Sequence, residues 1–119
     1  MNSSSPESII RTYYAQVDGP APQQVVDLFA PEAVYRRPGY APLRGTQDLL
    51  DFFGEKRVIA SGTHTLERVV AAGSVVAVEG TFEGVLKSGG EVSLRFADFF
   101  DLDRELIRAR NTYFDAPLV

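Results

Sequence analysis

One carboxyl group lies on an otherwise apolar strand face. Residues 92–100 read VSLRFADFF, and the geometry of a β-strand places every second side chain on the same side. The apolar side carries Val92, Leu94, Phe96, Asp98, Phe100 and Leu102. A carboxyl group kept away from water resists ionisation, so Asp98 could donate a hydrogen bond or transfer a proton. Two other interpretations stay open: Asp98 is ionised and paired with a buried arginine, or a bulge turns it outward.

Two arginines, one threonine and the single histidine are further candidates. Arg37 shares strand parity with Tyr35 and is a candidate to face inward, although an exposed position is equally compatible with the pattern. Arg110 and Thr112 share one parity of the last strand, but neither parity is cleanly apolar, which favours a solvated face. His64 begins a strand and would serve as a general base if it lined a cavity. A strand-edge histidine bonded to backbone or solvent is the favoured alternative.

The composition excludes several kinds of site. The chain has no cysteine and one histidine, so it cannot build a thiolate nucleophile, a disulfide or a multi-histidine metal site. A net charge of −4 argues against nucleic acid as a partner. No apolar run approaches the roughly 18 residues of a membrane span, and no signal-peptide stretch is recognisable. Phosphate and dinucleotide fingerprints are missing. We therefore expect a cytoplasmic protein without membrane contact, metal or organic cofactor.

Three helices are predicted in the first half of the chain. The first has a serine cap followed by Pro6 and carries Tyr13 on its inward stripe. The second is ended by Pro31, and the third is capped by Thr46 and carries Phe53 on its apolar face. Their predicted limits are about 6–18, 22–29 and 46–56. A short strand over 33–37 is expected between the second and third helices.

The second half has the texture of an antiparallel meander. Runs rich in β-branched and aromatic residues alternate with glycine-centred turns, and the predicted strands are about 63–71, 75–86, 92–101 and 107–114. A chain of 119 residues with 45% hydrophobic side chains fits one domain over 1–119. The fold class is α+β: a cone-like barrel in which three N-terminal helices cover one face of a curved, mainly antiparallel sheet.

The cone should hold a ligand at its mouth and a second copy of the chain on its outer side. Small-molecule sites are largely apolar with a few convergent polar groups, and the candidate walls are Tyr13, Tyr35, Phe53 and Phe96. The alternative is that these aromatic side chains only fill the core. The opposite sheet face carries Phe99 and Tyr113. Exposed aromatic side chains there are most simply explained by a homodimer.

Five segments carry a resemblance to a known family. They are 10–14 (IRTYY), 28–35 (LFAPEAVY), 43–45 (LRG), 96–100 (FADFF) and 112–115 (TYFD). In these segments and in the order of its elements, the chain resembles the nuclear transport factor 2-like superfamily, in its SnoaL-like and ketosteroid-isomerase-like branch. This resemblance implies the cone fold over nearly the whole chain. It leaves the reaction open, since the scaffold hosts isomerases, dehydratases, cyclases, epoxide hydrolases and non-catalytic binders.

The resemblance assigns roles to individual residues. Ketosteroid isomerase combines a tyrosine and a protonated aspartate as oxyanion donors with a separate aspartate base. Its tyrosine falls on Tyr13 and its oxyanion aspartate on Asp98, but its base falls on Arg37, which stays protonated and cannot abstract a proton. The closing-strand aspartate of limonene epoxide hydrolase falls on Thr112, so epoxide hydrolysis by that set is not expected. The inward aspartate of SnoaL-like cyclases matches Asp98, which implies a mechanism with one carboxylate.

These observations predict a SnoaL-like protein that binds a small hydrophobic molecule. In an enzymatic form it is an isomerase, cyclase or dehydratase that performs cofactor-free acid–base chemistry on a carbonyl compound. Asp98 is then the acid–base residue, Tyr13 donates to the enolate, and Arg37 holds an anionic group or orients Asp98. The other candidate ligand-binding residues are Tyr35, Phe53, His64, Phe96, Arg110 and Thr112. The alternative is a non-catalytic homodimeric binding or interaction module in which Arg37 and Asp98 form a buried structural pair.

Overall fold

Helix α1 spans Pro6–Val17 and confirms the first predicted helix. The computed structural model describes residues 5–19, 21–57 and 59–116. The Ser5 side chain caps α1 by accepting a hydrogen bond from the backbone N–H of Ser8 at 3.2 Å, which satisfies one of the donors left over in a first helical turn. The helix buries Ile9, Ile10, Tyr13, Tyr14 and Val17. Both tyrosines therefore point into the protein.

Helix α2 ends earlier than predicted. It spans Pro22–Val26, and strand β1 follows over Phe29–Arg36. The prediction that Pro31 ends a helix was wrong, because Pro31 lies inside β1. The pairing of β1 with the last strand shifts register between Phe29 and Val34, and a proline, which has no N–H to donate, is tolerated at such an irregularity.

Helix α3 spans Gly45–Asp51 and continues into a π-helical turn over Phe52–Lys56. Arg44, rather than the predicted Thr46, occupies the N-cap position. The side chain of Asp48 accepts a hydrogen bond from the Arg44 backbone N–H at 2.9 Å. Single π-helical turns are rare, and those that occur are often found at functional sites. This one leads directly to Arg57, a residue of the candidate site.

Six strands form one curved sheet. Besides β1 they are β2 (Leu43–Arg44), β3 (Ile59–Ala72), β4 (Val75–Leu86), β5 (Glu91–Asp103) and β6 (Leu106–Phe114). The order across the sheet is β2-β1-β6-β5-β4-β3. All neighbours are antiparallel except β1 and β6, which are parallel. The predicted four-stranded meander is confirmed, and β1 and β2 extend it at the β6 edge.

The inner face of the sheet and the helices share one apolar core. The predicted alternation of β5 is confirmed: its buried side chains are Val92, Leu94, Phe96, Asp98, Phe100 and Leu102. Core residues of all three helices belong to the same cluster of buried side chains. The fold is therefore the expected α+β cone, with three helices packed on one face of an open, mostly antiparallel sheet.

The outer face of the sheet mixes charged and aromatic side chains. Arg95 lies within 3.5 Å of Glu79, which is also within 3.5 Å of Arg68. Phe99 and Tyr113 are 48% and 57% exposed, with ring centroids 6.2 Å apart. No helix in the described part of the chain is long and apolar enough to cross a membrane.

Candidate active site

Asp98 lies at the centre of a buried polar network. Its side chain is fully buried, and its two oxygens accept hydrogen bonds from three side chains. Arg110 donates through Nε to Oδ1 at 3.2 Å and through Nη2 to Oδ2 at 2.9 Å. The hydroxyls of Tyr14 and Thr112 donate to Oδ2 and Oδ1, and Arg110 donates through Nη1 to the hydroxyl oxygen of Tyr13. The acceptor capacity of the carboxylate is thus used within the protein.

Arg110 reaches this network because β6 contains a bulge. The register with β5 shifts so that Arg108 is one extra residue between Ile107 and Ala109. One extra residue reverses the parity of a strand, so Ile107 on one side of the bulge and Arg110 and Thr112 on the other all point inward. The expectation of a solvated face for Arg110 was therefore wrong. The buried arginine that pairs with Asp98 is Arg110, and Arg37 takes no part in the pair.

Burial and the charge of Asp98 together set the protonation states of the tyrosines and of Arg110 in the network. Burial raises the pKa of Tyr13, and burial together with the charge of Asp98 raises the pKa of Tyr14. Burial lowers the pKa of Arg110, but the charge of Asp98 and the neighbouring tyrosine hydroxyls outweigh it and the pKa is raised. Both tyrosines stay protonated and Arg110 stays charged across the physiological range. An ion pair of this kind fixes geometry more than it exchanges protons.

A small cavity lies next to the network. It has a volume of about 20 Å³, which accommodates about one water molecule. Six of the predicted site residues line it: Tyr35, Arg37, Phe53, His64, Phe96 and Arg110. The other three, Tyr13, Asp98 and Thr112, are not among the lining residues. We call this space the central cavity. Its other described walls are Val17, Arg57, Ile59, Phe82 and Phe114.

His64 forms a hydrogen-bonded dyad with Asp18 at the cavity wall. The Nδ1 atom of His64 lies 2.6 Å from Asp18 Oδ1, and the backbone N–H of His64 donates to Asp18 Oδ2 at 2.8 Å. Because a carboxylate only accepts hydrogen bonds, Nδ1 carries the proton and Nε2 is left with its lone pair. Burial lowers the pKa of His64 below its ordinary 6.5, although the hydrogen bond and charge of Asp18 oppose this. The imidazole is therefore neutral at pH 7.

The ring of His64 is held by three aromatic neighbours. Its centroid lies 4.7 Å from that of Phe82, 5.1 Å from that of Tyr14 and 5.3 Å from that of Phe96. Phe82 lies across Gly62, since a Cβ atom at position 62 would approach the Phe82 Cζ atom to 2.2 Å. The missing side chain at Gly62 therefore lets Phe82 pack where it supports the histidine.

Arg37 lies at the same cavity in an aromatic surrounding. Its Nη1 atom donates to the hydroxyl oxygen of Tyr35 at 3.0 Å. Its guanidinium carbon lies 4.9 Å from the ring centroid of Phe52 and 5.1 Å from that of Tyr40. The Nε atom of Arg37 is buried and has no hydrogen-bond partner among the described residues. Because the Tyr35 oxygen accepts from a cation, its own O–H is polarised and becomes a stronger donor.

Two polar residues of the candidate site, Asp18 and Arg57, were missed by the sequence analysis. Asp18 is the C-cap of α1 and meets His64 from 46 positions away, so no local pattern connects the two. Arg57 follows the π-helical turn and its Nη1 atom donates to the Val17 carbonyl at a long 3.4 Å. Burial lowers the pKa of Arg57, and the charges of Arg110 and Arg37 act in the same direction. Arg57 lies between two predicted elements, so no periodic pattern indicated that its side chain faces the cavity.

No metal-binding cluster is evident in the described ranges. Within 5–19, 21–57 and 59–116, no three His, Asp or Glu side chains come together as a metal would require. The polar groups of the central cavity are guanidinium, hydroxyl and imidazole. Such donors suit an organic ligand with a carbonyl or an acid group.

The sequence profile of the SnoaL-like domain matches residues 10–110. This match spans most of the chain, and the protein belongs to the SnoaL-like domain family. No curated protein sequence is significantly similar to it.

Solved structures share the fold at low sequence identity. A hypothetical protein with a ketosteroid isomerase-like fold from Catenulispora acidiphila, solved with trimethylamine, is 21% identical with a TM-score of 0.81, covering 92% of this chain and 86% of its own. A protein described as a SnoaL-like polyketide cyclase from Jannaschia is 14% identical with a TM-score of 0.79, covering 97% and 92%. An epoxide hydrolase from M. tuberculosis, described as resembling limonene epoxide hydrolase, is 17% identical with a TM-score of 0.80, covering 92% and 82%. At these identities the likeness concerns the fold alone.

Proposed function

We propose that this protein is a small-molecule-binding, cofactor-free acid–base catalyst that removes a proton next to a carbonyl group, with His64 as the base. The observation that carries the proposal is the Asp18–His64 dyad at the wall of the central cavity. A carboxylate on one imidazole nitrogen orients the ring and stabilises the imidazolium that forms when the other nitrogen takes a proton. This assignment moves the acid–base role from Asp98, whose oxygens are occupied, to His64.

The reaction we propose is an enolisation. His64 Nε2 takes the proton of a C–H bond next to the substrate carbonyl, and the electron pair of that bond moves onto the carbonyl oxygen. The O–H of Tyr35 donates to this oxygen, and the positive charge of Arg37 on Tyr35 strengthens the donor. Return of the proton from Nε2 to a different carbon gives isomerisation, whereas attack of the enolate on a second carbonyl gives cyclisation. The neutral state of His64 at pH 7 is the one this step requires.

The buried network has a positioning role in this proposal. Tyr14 donates to Asp98 and its ring lies beside His64, and Arg110 lies 4.5 Å from the ring centroid of Tyr35. Asp98 therefore acts on the cavity through Tyr14 and Arg110. The proposed contribution of Tyr13 is likewise indirect, because its hydroxyl oxygen accepts from Arg110.

The single histidine makes the base directly testable. In a sample with ¹⁵N-labelled histidine, we expect one pair of imidazole signals with Nδ1 protonated and Nε2 unprotonated at pH 7. A panel of hydrophobic carbonyl compounds in D₂O should show protein-dependent exchange of α-protons by NMR. His64→Gln should abolish this exchange, and Asp18→Asn should slow it by about 10² or more.

A matched control is Asp27→Asn, which removes the same charge at the C-cap of α2 and should leave exchange unchanged. Exchange that persists in His64→Gln would refute the assignment of the base.

A second candidate is the non-catalytic binding module. It is favoured by the small volume of the central cavity and by the buried ion pair of Asp98. That pair is formed with Arg110, whereas it was expected with Arg37. Saturable binding of a carbonyl compound without any exchange would select this candidate.

In both candidates we propose a homodimer joined through the outer sheet face, supported by the exposed rings of Phe99 and Tyr113. The lack of cysteine is compatible with a cytoplasmic location, which stays a prediction.

A further inference from the structure

Two guanidinium groups from separate elements line the central cavity, and no carboxylate among the described residues balances them. Arg37 follows β1, and Arg57 follows the π-helical turn. The carboxylates next to the cavity are already paired with Arg110 and with His64. No acidic side chain that the structure describes forms an ion pair with Arg37 or Arg57. The wall of the cavity therefore carries positive charge that an anion can neutralise.

Arg37 has a hydrogen-bond donor that the described residues do not use. Its buried Nε atom has no hydrogen-bond partner among the residues that the structure describes, and a buried N–H without an acceptor is costly. The guanidinium lies over the rings of Phe52, Tyr40 and Phe114 at 4.9, 5.1 and 5.3 Å from their centroids. Ring faces stabilise a cation while leaving the N–H groups at its edge open to an acceptor. The aromatic surrounding thus contacts the faces of the Arg37 guanidinium and leaves its edge for an acceptor.

Arg57 lies between the central cavity and a second depression. An outer groove of about 190 Å³ shares four of its lining residues with the central cavity: Val17, Phe53, Arg57 and Ile59. The hydrogen bond at 3.4 Å to the Val17 carbonyl holds Arg57 weakly. A small rearrangement of Arg57 toward an anion would connect the two spaces. The central cavity alone admits about one water molecule, so a larger ligand needs this connection.

We infer that Arg37 and Arg57 bind a carboxylate group of the ligand, so that the substrate class is small hydrophobic keto acids rather than neutral ketones. This inference rests on the proposed function, because it concerns the substrate of the same cavity. A planar carboxylate matches the two parallel N–H groups at a guanidinium edge. The apolar part of the ligand then extends past Phe53 into the outer groove, and its carbonyl lies on the side of Tyr35 and His64.

The test uses three probes that differ in one group. Phenylpyruvate carries the carboxylate and the carbonyl, methyl phenylpyruvate lacks the charge, and phenyl phosphate replaces the planar anion with a tetrahedral one. Dissociation constants are measured by calorimetry for the whole chain and for Arg37→Gln and Arg57→Gln. The matched control is Arg36→Gln, which removes the same charge from the exposed neighbouring position.

We expect phenylpyruvate to bind at least about tenfold more weakly to Arg37→Gln and to Arg57→Gln, with Arg36→Gln unchanged. The methyl ester should bind more weakly than phenylpyruvate and equally to all four proteins. Arg57→Lys, which keeps the charge and loses the planar fork, should fall between the native protein and Arg57→Gln. Should Arg37→Gln fail to fold, the Nε–H resonance of Arg37 in the native protein replaces it. That resonance should shift with phenylpyruvate and stay in place with the ester.

Four results would overturn the inference: equal affinity for acid and ester, the same loss in Arg36→Gln, tighter binding of phenyl phosphate than of phenylpyruvate, or no binding of phenylpyruvate up to about 10 mM.

His64→Gln separates this inference from the proposed function. It should keep the preference for phenylpyruvate over the methyl ester, because Arg37 and Arg57 are unchanged, while losing α-proton exchange. Binding of phenylpyruvate without exchange in the native protein would refute the catalytic proposal alone, and equal exchange of acid and ester would refute the keto-acid inference alone.

Discussion

Replacement of Asp98 by asparagine should destabilise the fold strongly. The substitution keeps the size of the side chain but removes the charge that faces Arg110, which is 4% exposed. An amide also presents one oxygen where the carboxylate accepts two bonds from Arg110. Tyr14 and Thr112 can turn their hydroxyls to accept from the new amide, whereas a guanidinium can only donate. The main cost is therefore a buried cation left without its counter-charge.

The expected loss is about 3–5 kcal/mol in the free energy of unfolding. A domain of this size has about 5–15 kcal/mol in total, so the variant should melt roughly 10–20 °C below the native protein. Urea unfolding followed by circular dichroism measures the difference. The control Asp103→Asn removes the same charge from an exposed site on β5 and should change stability by less than about 0.5 kcal/mol.

A double variant separates the ion pair from the space it fills. Asp98→Leu combined with Arg110→Met removes both charges. The double variant should lose less unfolding free energy than the two single variants lose together, and the difference should be about 2–4 kcal/mol. A loss below about 1 kcal/mol for Asp98→Asn would refute this reasoning. It would mean that water or another acceptor compensates Arg110.

Three further predictions follow from single features. Because the pKa of His64 is lowered in the folded protein, the unfolded chain takes up the histidine proton at a higher pH, and the stability present above about pH 6.5 is lost as the pH falls toward the folded pKa. The difference in unfolding free energy between the native protein and His64→Gln, measured in urea from pH 7.5 downward, should therefore shrink. A difference that grows as the pH falls would contradict this reasoning. Gly62→Ala forces Phe82 aside and should cost about 1–3 kcal/mol in thermal unfolding, whereas Gly54→Ala, with nothing within 4 Å of the new Cβ, should be nearly neutral. Sedimentation should show a dimer that Phe99→Glu dissociates, and a native monomer at micromolar concentration would exclude the proposed interface.

The sequence alone determined the layers of the fold. The serine cap and apolar stripe of α1 and the strict alternation of β5 are local patterns whose period follows from backbone geometry. For the same reason the inward position of Asp98 could be predicted from residues 92–102. Where a local irregularity intervened, prediction failed: Pro31 lies in a register shift of β1, and helix and strand cannot be told apart there by composition.

The tertiary structure decided which side chains meet. Arg110 turns inward because one extra residue in β6 reverses its parity, and a bulge is visible only in the pairing of two strands. Asp18 and His64 come together across 46 positions, and Arg57 faces the cavity from the end of a π-helical turn. Contacts of this kind depend on how helix ends and strand ends are placed relative to one another. Local periodicity carries no information about that placement, so Asp18 as the partner of His64 and Arg57 as the second cation beside Arg37 emerged only from the folded chain.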